Sequence, residues 1–231
     1  MKPYNTLVKN TSLIVKQIRH ESANHVSIVF ERPVGFTYAP GDWIDIQFDV
    51  ESRTITKTFS FSSSPTEPDI MITYKTGISL FKARLQSLRP SDKVAIYQYG
   101  NSGFGLDERY DLVMIAGGVG IAPFRSMIRY LYDSQQPQTI TLLYQSRTND
   151  FPFKDELASF ERTQQNLKII YIDSTLKGRL KHAMIFEYIT DSQSPLYYIA
   201  GPPGMVDSTE RFLIASGIAP ADIMDDEFSG Y

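Results

Sequence analysis

The segment AGGVGIAPFRSMIRY, residues 116–130, decides how the second half of this chain folds. It follows the apolar run LVMI and passes through three glycines and a proline into a helical pattern. Glycine at a strand-to-helix turn lets the backbone approach a ligand, and a helix N-terminus offers free N–H groups to a phosphate. Gly118 and Gly120 match the first two glycines of a G-x-G-x-x-G motif, but Pro123 replaces the third. The alternative is a tight turn without a ligand.

From about Asp107 onward, strand patterns and helix patterns alternate along the chain. The strand patterns are LVMIAGG, TITLLYQS, KIIYID and LYYIAG, and the helix patterns are PFRSMIRYLYDS, FKDELASFERTQ and MVDSTERFLIAS. This order predicts a parallel sheet with helices on its faces. A second glycine loop, IAGPPGM at residues 199–205, follows the last of these strands. Both loops are therefore expected at the carboxyl edge of the sheet, where open sheets bind ligands.

The first hundred residues instead alternate apolar and polar side chains at period two. The predicted strands are SLIVKQIRH, HVSIVFERP, WIDIQFDV, KTFSFSSSP and DIMITYKTG. Short strands separated by turns predict a small antiparallel barrel or sandwich. One helix, SLFKARLQSL, interrupts them, and its predicted apolar face comprises Leu80, Phe81, Leu85 and Leu88.

Composition excludes several classes of function. The chain has 231 residues, a net charge of −3 and no long basic run, which disfavours nucleic acid as a partner. It has no cysteine, which removes disulfides, thiolate nucleophiles and iron–sulfur clusters built on this chain. Its three histidines lack metal-ligand spacing, so no metal site is predicted. Without a signal peptide pattern or a membrane-spanning apolar run, a cytoplasmic protein is expected.

The order of the motifs along the chain is more specific than any one of them. That order is KTFSFSSSP, KTGISLFKARL, IAGGVGIAPFRSM, LYQSRT, YYIAGPPGM and DEFSGY, and it resembles the ferredoxin–NADP reductase superfamily over nearly the whole chain. The resemblance implies an N-terminal FAD-binding antiparallel β-barrel of Greek-key type at residues 1–106. It also implies a C-terminal α/β parallel-sheet NAD(P)-binding domain at residues 107–231. Because cysteine is absent, a stand-alone reductase without an iron–sulfur domain is expected.

The resemblance implies a flavin site built on KTFS. In the family, a basic residue, an aromatic ring and a hydroxyl serve the phosphates, the isoalloxazine and the reactive N5 region, matching Lys57, Phe59 and Ser60. Lysine keeps the charge of the usual arginine but loses its bidentate fork. The full set implied for FAD is Lys57, Thr58, Phe59, Ser60, Tyr74, Lys75, Gly77, Ile78, Ser79, Phe228 and Tyr231. Ser60 and Glu227 are the implied catalytic residues, with Glu227 helping proton delivery unless it is only a surface carboxylate.

The resemblance also implies a site for NADP or NAD. Its residues are Gly118, Val119, Gly120, Ile121, Ala122, Pro123, Ala200, Gly201, Pro202 and Pro203, where Ala200 replaces a frequent cysteine. Ser146 and Arg147 end a strand where the adenosine ribose is expected, and a guanidinium there favours the 2′-phosphate of NADPH. Alternatively, Arg147 pairs with Asp150 or Asp155 on the surface.

These sites predict a flavin-dependent NAD(P)H oxidoreductase with a separate electron acceptor. NAD(P)H would give a hydride to flavin N5, and the acceptor would be a ferredoxin, a flavodoxin, free flavin, a quinone or an iron chelate. Two alternatives stay open: an electron-transfer subunit or redox sensor without NAD(P)H turnover, and a binding protein without flavin. The sequence leaves the oligomeric state open.

Overall fold

The first part of the chain forms an antiparallel, barrel-like sheet. The computed structural model describes residues 11–176, 178, 180, 182, 184–189 and 194–228. Six strands are present: β1 (Thr11–His20), β2 (His25–Phe30), β3 (Trp43–Val50), β4 (Arg53–Ser60), β5 (Ile70–Lys75) and β6 (Lys93–Gly100). Their order is β4-β3-β6-β1-β2-β5, and the two edge strands meet through one bridge between Phe61 and Ile72. The five predicted strands are confirmed, whereas β6 was not predicted.

Helix α1 (Leu80–Ser87) lies against this sheet. The Ser79 hydroxyl accepts a hydrogen bond from the Lys82 amide at 3.3 Å and caps the helix. Phe81, Leu85 and Leu88 are buried, but Leu80 is 47% exposed, so the predicted apolar face was wrong at this residue. The buried residues are spaced i, i+4 and i+7, and Leu80 lies about 100° around the helix from Phe81.

The second part of the chain forms a parallel sheet flanked by helices. Its elements are β7 (Leu112–Gly117), α2 (Ile121–Asp133), β8 (Ile140–Ser146), α3 (Lys154–Thr163), β9 (Leu167–Asp173), α4 (Met184–Tyr188), β10 (Leu196–Gly201), α5 (Pro203–Ala215) and β11 (Ile223–Glu227). The strand order is β11-β10-β7-β8-β9. The predicted alternation of strands and helices and the two-domain fold class are confirmed. Helix α4 and strand β11 were not predicted. None of the described helices is long and apolar enough to cross a bilayer.

The two sheets share a packed interface. Val29 of β2 and Met71 of β5 belong to the same buried cluster as Phe124 and Met127 of α2. Helix α2 therefore packs on the outer face of the barrel as well as on its own sheet. The predicted domain boundary between residues 106 and 107 falls in the connection between β6 and β7.

Candidate functional site

The two glycine loops meet at the carboxyl edge of the parallel sheet. Strands β7 and β10 are neighbours in register, with Ala116 opposite Ala200. A Cβ atom added to Gly120 would lie 2.1 Å from the carbonyl oxygen of Ala200, so only glycine fits there. Gly118 has φ +56°, in the left-handed region, with open space around its Cβ position. The loops after β7 and β10 therefore form one continuous edge.

This edge offers backbone rather than side chains to a ligand. Gly118 is half-buried, and Pro202 and Pro203 are exposed. The other predicted nucleotide residues of the two loops are buried: Val119, Gly120, Ile121, Ala122, Pro123, Ala200 and Gly201. A short 3₁₀ turn at Gly118–Gly120 leads into α2, whose N-terminal dipole points out of this edge. Such an edge suits an anionic, extended molecule such as a dinucleotide.

A hydrogen bond joins the barrel to the same edge. Ser60, the last residue of β4, donates its hydroxyl to Oδ2 of Asp226 at 2.9 Å. Asp226 lies on β11 and is paired with Ala200 of β10. Successive side chains of a strand point to opposite faces, so the neighbouring Glu227 is exposed. The carboxylate beside Ser60 is thus Asp226, and the role of Glu227 in proton delivery stays a prediction.

Asp226 titrates close to neutrality. The pKa of this carboxyl is raised to about 6, mainly by burial; the hydrogen bond from Ser60 lowers it, and the charge of Asp225 raises it. Asp226 can therefore hold a proton below neutral pH and release it above, next to a hydroxyl at the junction of the two sheets. Asp226 was not among the residues predicted from the sequence.

Asp226→Asn should become progressively more stable than the wild type as the pH rises. The folded-state pKa of Asp226 lies above its ordinary value of 3.8, so the wild type has its full stability only at low pH and loses it as the pH passes about 6. The shift corresponds to about 2 kcal/mol after allowing for partial exposure. Urea unfolding at about pH 4 and about pH 8 measures the difference. Glu227→Gln, at an exposed site, should show no such trend, and an equal trend in both variants would refute the assignment.

The edges of the barrel sheet provide a second candidate binding surface. Strands β4 and β5 are the edge strands of this sheet, and Gly77 and Ser79 lead from β5 into α1. Lys57 and Lys75 are exposed at these edges. Burial first, and then the charge of Lys75, lowers the pKa of the Lys82 ammonium, so two cations lie close together at the start of this helix. Cations beside a helix N-terminus fit a diphosphate.

Gly77 and its neighbours leave little space beneath this surface. A Cβ atom on Gly77 would lie 2.9 Å from Cδ of Lys82, whose side chain therefore folds over the glycine. Ile78 is fully exposed beside it. Thr58 points to the opposite face of β4, where its hydroxyl donates to Asp45 at 2.5 Å. Thr58 is exposed and is hydrogen-bonded to the neighbouring strand β3.

The predicted aromatic contacts lie deeper than expected. Phe59 is 5% exposed and stacks on Phe81, and Tyr74 is 1% exposed and belongs to the barrel core. Phe228 is buried in the cluster of the parallel sheet, and its amide donates to the carbonyl of Gly201. The structure therefore does not present these rings as exposed stacking surfaces. Tyr231 lies outside the described residues.

The end of β8 is organised around Asp150. Ser146 is buried, and its hydroxyl donates to the carbonyl of Asp150 at 2.5 Å. Arg147 is exposed and makes no ion pair with another described residue. The carboxylate of Asp150 contacts His25 of the barrel instead. Neither Asp150 nor Asp155 therefore engages Arg147, and its guanidinium faces solvent at the sheet edge.

Residues 114–211 match the family described as "Oxidoreductase NAD-binding domain". A ferredoxin NADP+ reductase from Neisseria gonorrhoeae, solved with bound FAD and NADP, is 20% identical, with a TM-score of 0.79 over 94% of this chain and 98% of that one. The chain has the ferredoxin–NADP reductase fold. The fold implied by the motifs is confirmed.

The curated relatives that the chain matches are longer than the chain. Flavohemoprotein A of Dictyostelium discoideum is 25% identical over 91% of this chain and 58% of its own length. The electron transfer component XylA of the xylene/toluene monooxygenase of Pseudomonas putida is 24% identical over 96% of this chain and 66% of its own length. The chain therefore spans between one half and two thirds of these relatives.

Proposed function

We propose that the chain is an FAD-dependent NAD(P)H oxidoreductase that delivers electrons to a separate acceptor. The observation that carries this proposal is the Ser60–Asp226 hydrogen bond, which places the end of β4 against the sheet edge with the glycine loops. Two binding surfaces for two cofactors would thus converge on one point. The bound FAD and NADP of the Neisseria reductase and the electron-transfer role named for XylA support the proposal.

The residues present fit both cofactors. Lys57, Lys75, Gly77 and Ser79 would hold the FAD diphosphate, and the loops containing Gly118, Gly120 and Gly201 would hold the nicotinamide nucleotide. When bound, FAD would supply a hydride acceptor for NAD(P)H and a store for one or two electrons. The protein contributes alignment, which is mainly a proximity effect.

Ser60 and Asp226 would manage the proton at this junction. With a pKa of about 6, Asp226 is partly protonated near neutrality and can exchange a proton through the Ser60 hydroxyl. Glu227 is exposed at the end of the same strand, and its role in proton delivery stays a prediction. We therefore propose Ser60 and Asp226 as the groups beside the flavin N5 region.

A cytoplasmic location also stays a prediction.

Anaerobic reduction tests the proposed function. Protein loaded with FAD is mixed with NADPH or NADH, and the visible flavin absorbance is followed. Bleaching supports hydride transfer, whereas a redox sensor without turnover stays yellow and a binding protein without flavin is colourless. A steady-state screen with ferredoxin, flavodoxin, free flavin, a quinone and a ferric chelate then identifies the acceptor class.

Arg147→Ala should raise the Michaelis constant for NADPH and leave that for NADH nearly unchanged. The exposed guanidinium at the end of β8 is free to pair with a 2′-phosphate, a group that NADH lacks. One charged contact amounts to about 1.5–3 kcal/mol, or roughly ten- to a hundredfold in specificity for NADPH. Steady-state kinetics with both nucleotides provide the measurement. Arg162→Ala, which removes an exposed arginine from α3, is the control, and equal losses with both nucleotides in Arg147→Ala would exclude this role.

A further inference from the structure

The turn that carries Arg147 is held by two hydrogen bonds between its own residues. The Ser146 hydroxyl donates to the carbonyl of Asp150 at 2.5 Å, and the Asp150 amide donates to the carbonyl of Arg147 at 3.1 Å. Between them, Thr148 and Asn149 have φ values of 54° and 53°, in the left-handed region. Such a backbone persists only when its surroundings hold it. The conformation next to Arg147 therefore depends on what fixes Asp150.

The side chain of Asp150 is fixed by the other domain. One carboxylate oxygen accepts the amide N–H of Ala23 at 3.1 Å. The other accepts the Asn24 side-chain amide at 3.0 Å and lies 3.3 Å from Nδ1 of His25. Ala23 and Asn24 form the hairpin between β1 and β2, and His25 begins β2. The barrel thus holds the turn after β8 through a single carboxylate.

His25 is built to act through one ring nitrogen. The residue is 3% exposed, and Nδ1 lies 2.8 Å from the Ser22 hydroxyl. Nε2 is buried and has no hydrogen-bond partner among the described residues. Burial lowers the pKa of His25, Lys75 and Lys82 lower it further, and Asp150 opposes them. A neutral ring with its proton on Nδ1 satisfies these contacts, whereas a proton on Nε2 would have no acceptor.

We propose that Asp150 and His25 are positioning residues for the nicotinamide nucleotide, an inference that rests on the proposed function. They hold the turn so that Arg147 lies at the sheet edge where the adenosine end would bind. His25 is also paired with Lys75 across β2 and β5. The same strand pair therefore connects the nucleotide turn to the edge proposed for the FAD diphosphate.

Asp150→Ala should raise the Michaelis constant for NADPH about tenfold and leave kcat nearly unchanged, because the turn loosens while Ser60 and Asp226 stay in place. Hydrogen exchange at the amides of residues 148–150 should accelerate in the same variant. His25→Leu should raise the Michaelis constant for NADPH less than Asp150→Ala does, because Ala23 and Asn24 still bond to Asp150. The double variant should be no worse than Asp150→Ala, which already removes the contact with His25.

Conservative variants of His25 separate positioning from general stability. His25→Asn keeps an N–H donor near the place of Nδ1 and should restore the wild-type Michaelis constant and exchange rates. His25→Gln moves the donor toward the place of Nε2 and should not. Asp155→Ala, an exposed acid at the start of α3, is the control and should match the wild type.

The outcomes are distinguishable. Active wild-type protein whose Asp150→Ala and His25→Gln variants keep the same Michaelis constant overturns this inference and leaves the proposed function standing. A fall in kcat alone also overturns it. Wild-type protein that oxidises neither NADPH nor NADH overturns the proposed function, and this inference fails with it.

Discussion

Arg125→Met should lower the free energy of unfolding by about 3 kcal/mol. Arg125 is 1% exposed, and its guanidinium lies 2.5 Å from Glu67 of the barrel and 2.6 Å from Glu156 of α3. It also donates to the carbonyl of Ser62 at 2.8 Å. Methionine fills most of the volume of the arginine stem but removes the buried guanidinium that donates to two carboxylates and a carbonyl. Loss of one partner from such a buried pair is what destabilises it.

Urea unfolding of Arg125→Met and of Arg129→Met makes this comparison. Arg129 lies one turn further along α2, is about one third exposed and pairs with Asp133 at 2.8 Å, so its loss should amount to about 1 kcal/mol or less. Adding Glu67→Gln and Glu156→Gln to Arg125→Met removes the two carboxylate charges and should recover part of the lost free energy of unfolding. If Arg125→Met were no less stable than Arg129→Met, the buried cluster would not hold the two domains together.

The sequence predicts those parts of the fold that follow from local pattern. Period-two alternation and the strand–helix order identify both sheets. Strand β6 was missed because Ala95 and Tyr97 are apolar at positions that the structure exposes, which hides the alternation of Val94 and Ile96. Strand β11 was missed because IMDDE is acidic and owes its conformation to parallel pairing with β10. Tertiary pairing overrides a weak propensity in such segments.

The candidate site shows the same division. The glycine loops are readable because a turn after a strand has a local signature. Asp226, the acid beside Ser60, could also have been found from the sequence pattern. Met224 and Phe228 lie two residues before and after it and pack into the core, so Asp226 shares their inward-facing side of the strand. The pairs Arg125–Glu67 and His25–Asp150 have no local signature, because each joins residues of different domains. Only the folded chain brings these partners together.

Gly120→Ala should have the largest effect at the sheet edge. The added Cβ would lie 2.1 Å from the carbonyl oxygen and 2.5 Å from the carbonyl carbon of Ala200. Both contacts are with backbone, so no side chain can rotate away and the two loops must separate. Overpacking of this kind amounts to about 3 kcal/mol of stability. A displacement of about 1 Å at a hydride-transfer site can lower the rate about a hundredfold.

Two other glycines separate the clash from ordinary effects of adding a methyl group. Gly204, in α5, has open space around its Cβ position, so Gly204→Ala should be neutral or stabilise the helix by up to about 1 kcal/mol. Gly118 also has open space but a φ of +56°, so Gly118→Ala should lose about 1 kcal/mol through backbone strain alone. The loss of stability in urea and the fall in the rate of flavin reduction by NADPH should therefore both increase in the order Gly204→Ala, Gly118→Ala, Gly120→Ala. Gly120, unlike Gly118, lies against the backbone of Ala200 and Gly201. A Gly120→Ala variant no more impaired than Gly118→Ala would therefore mean that the two loops do not need this close contact to bind the nucleotide.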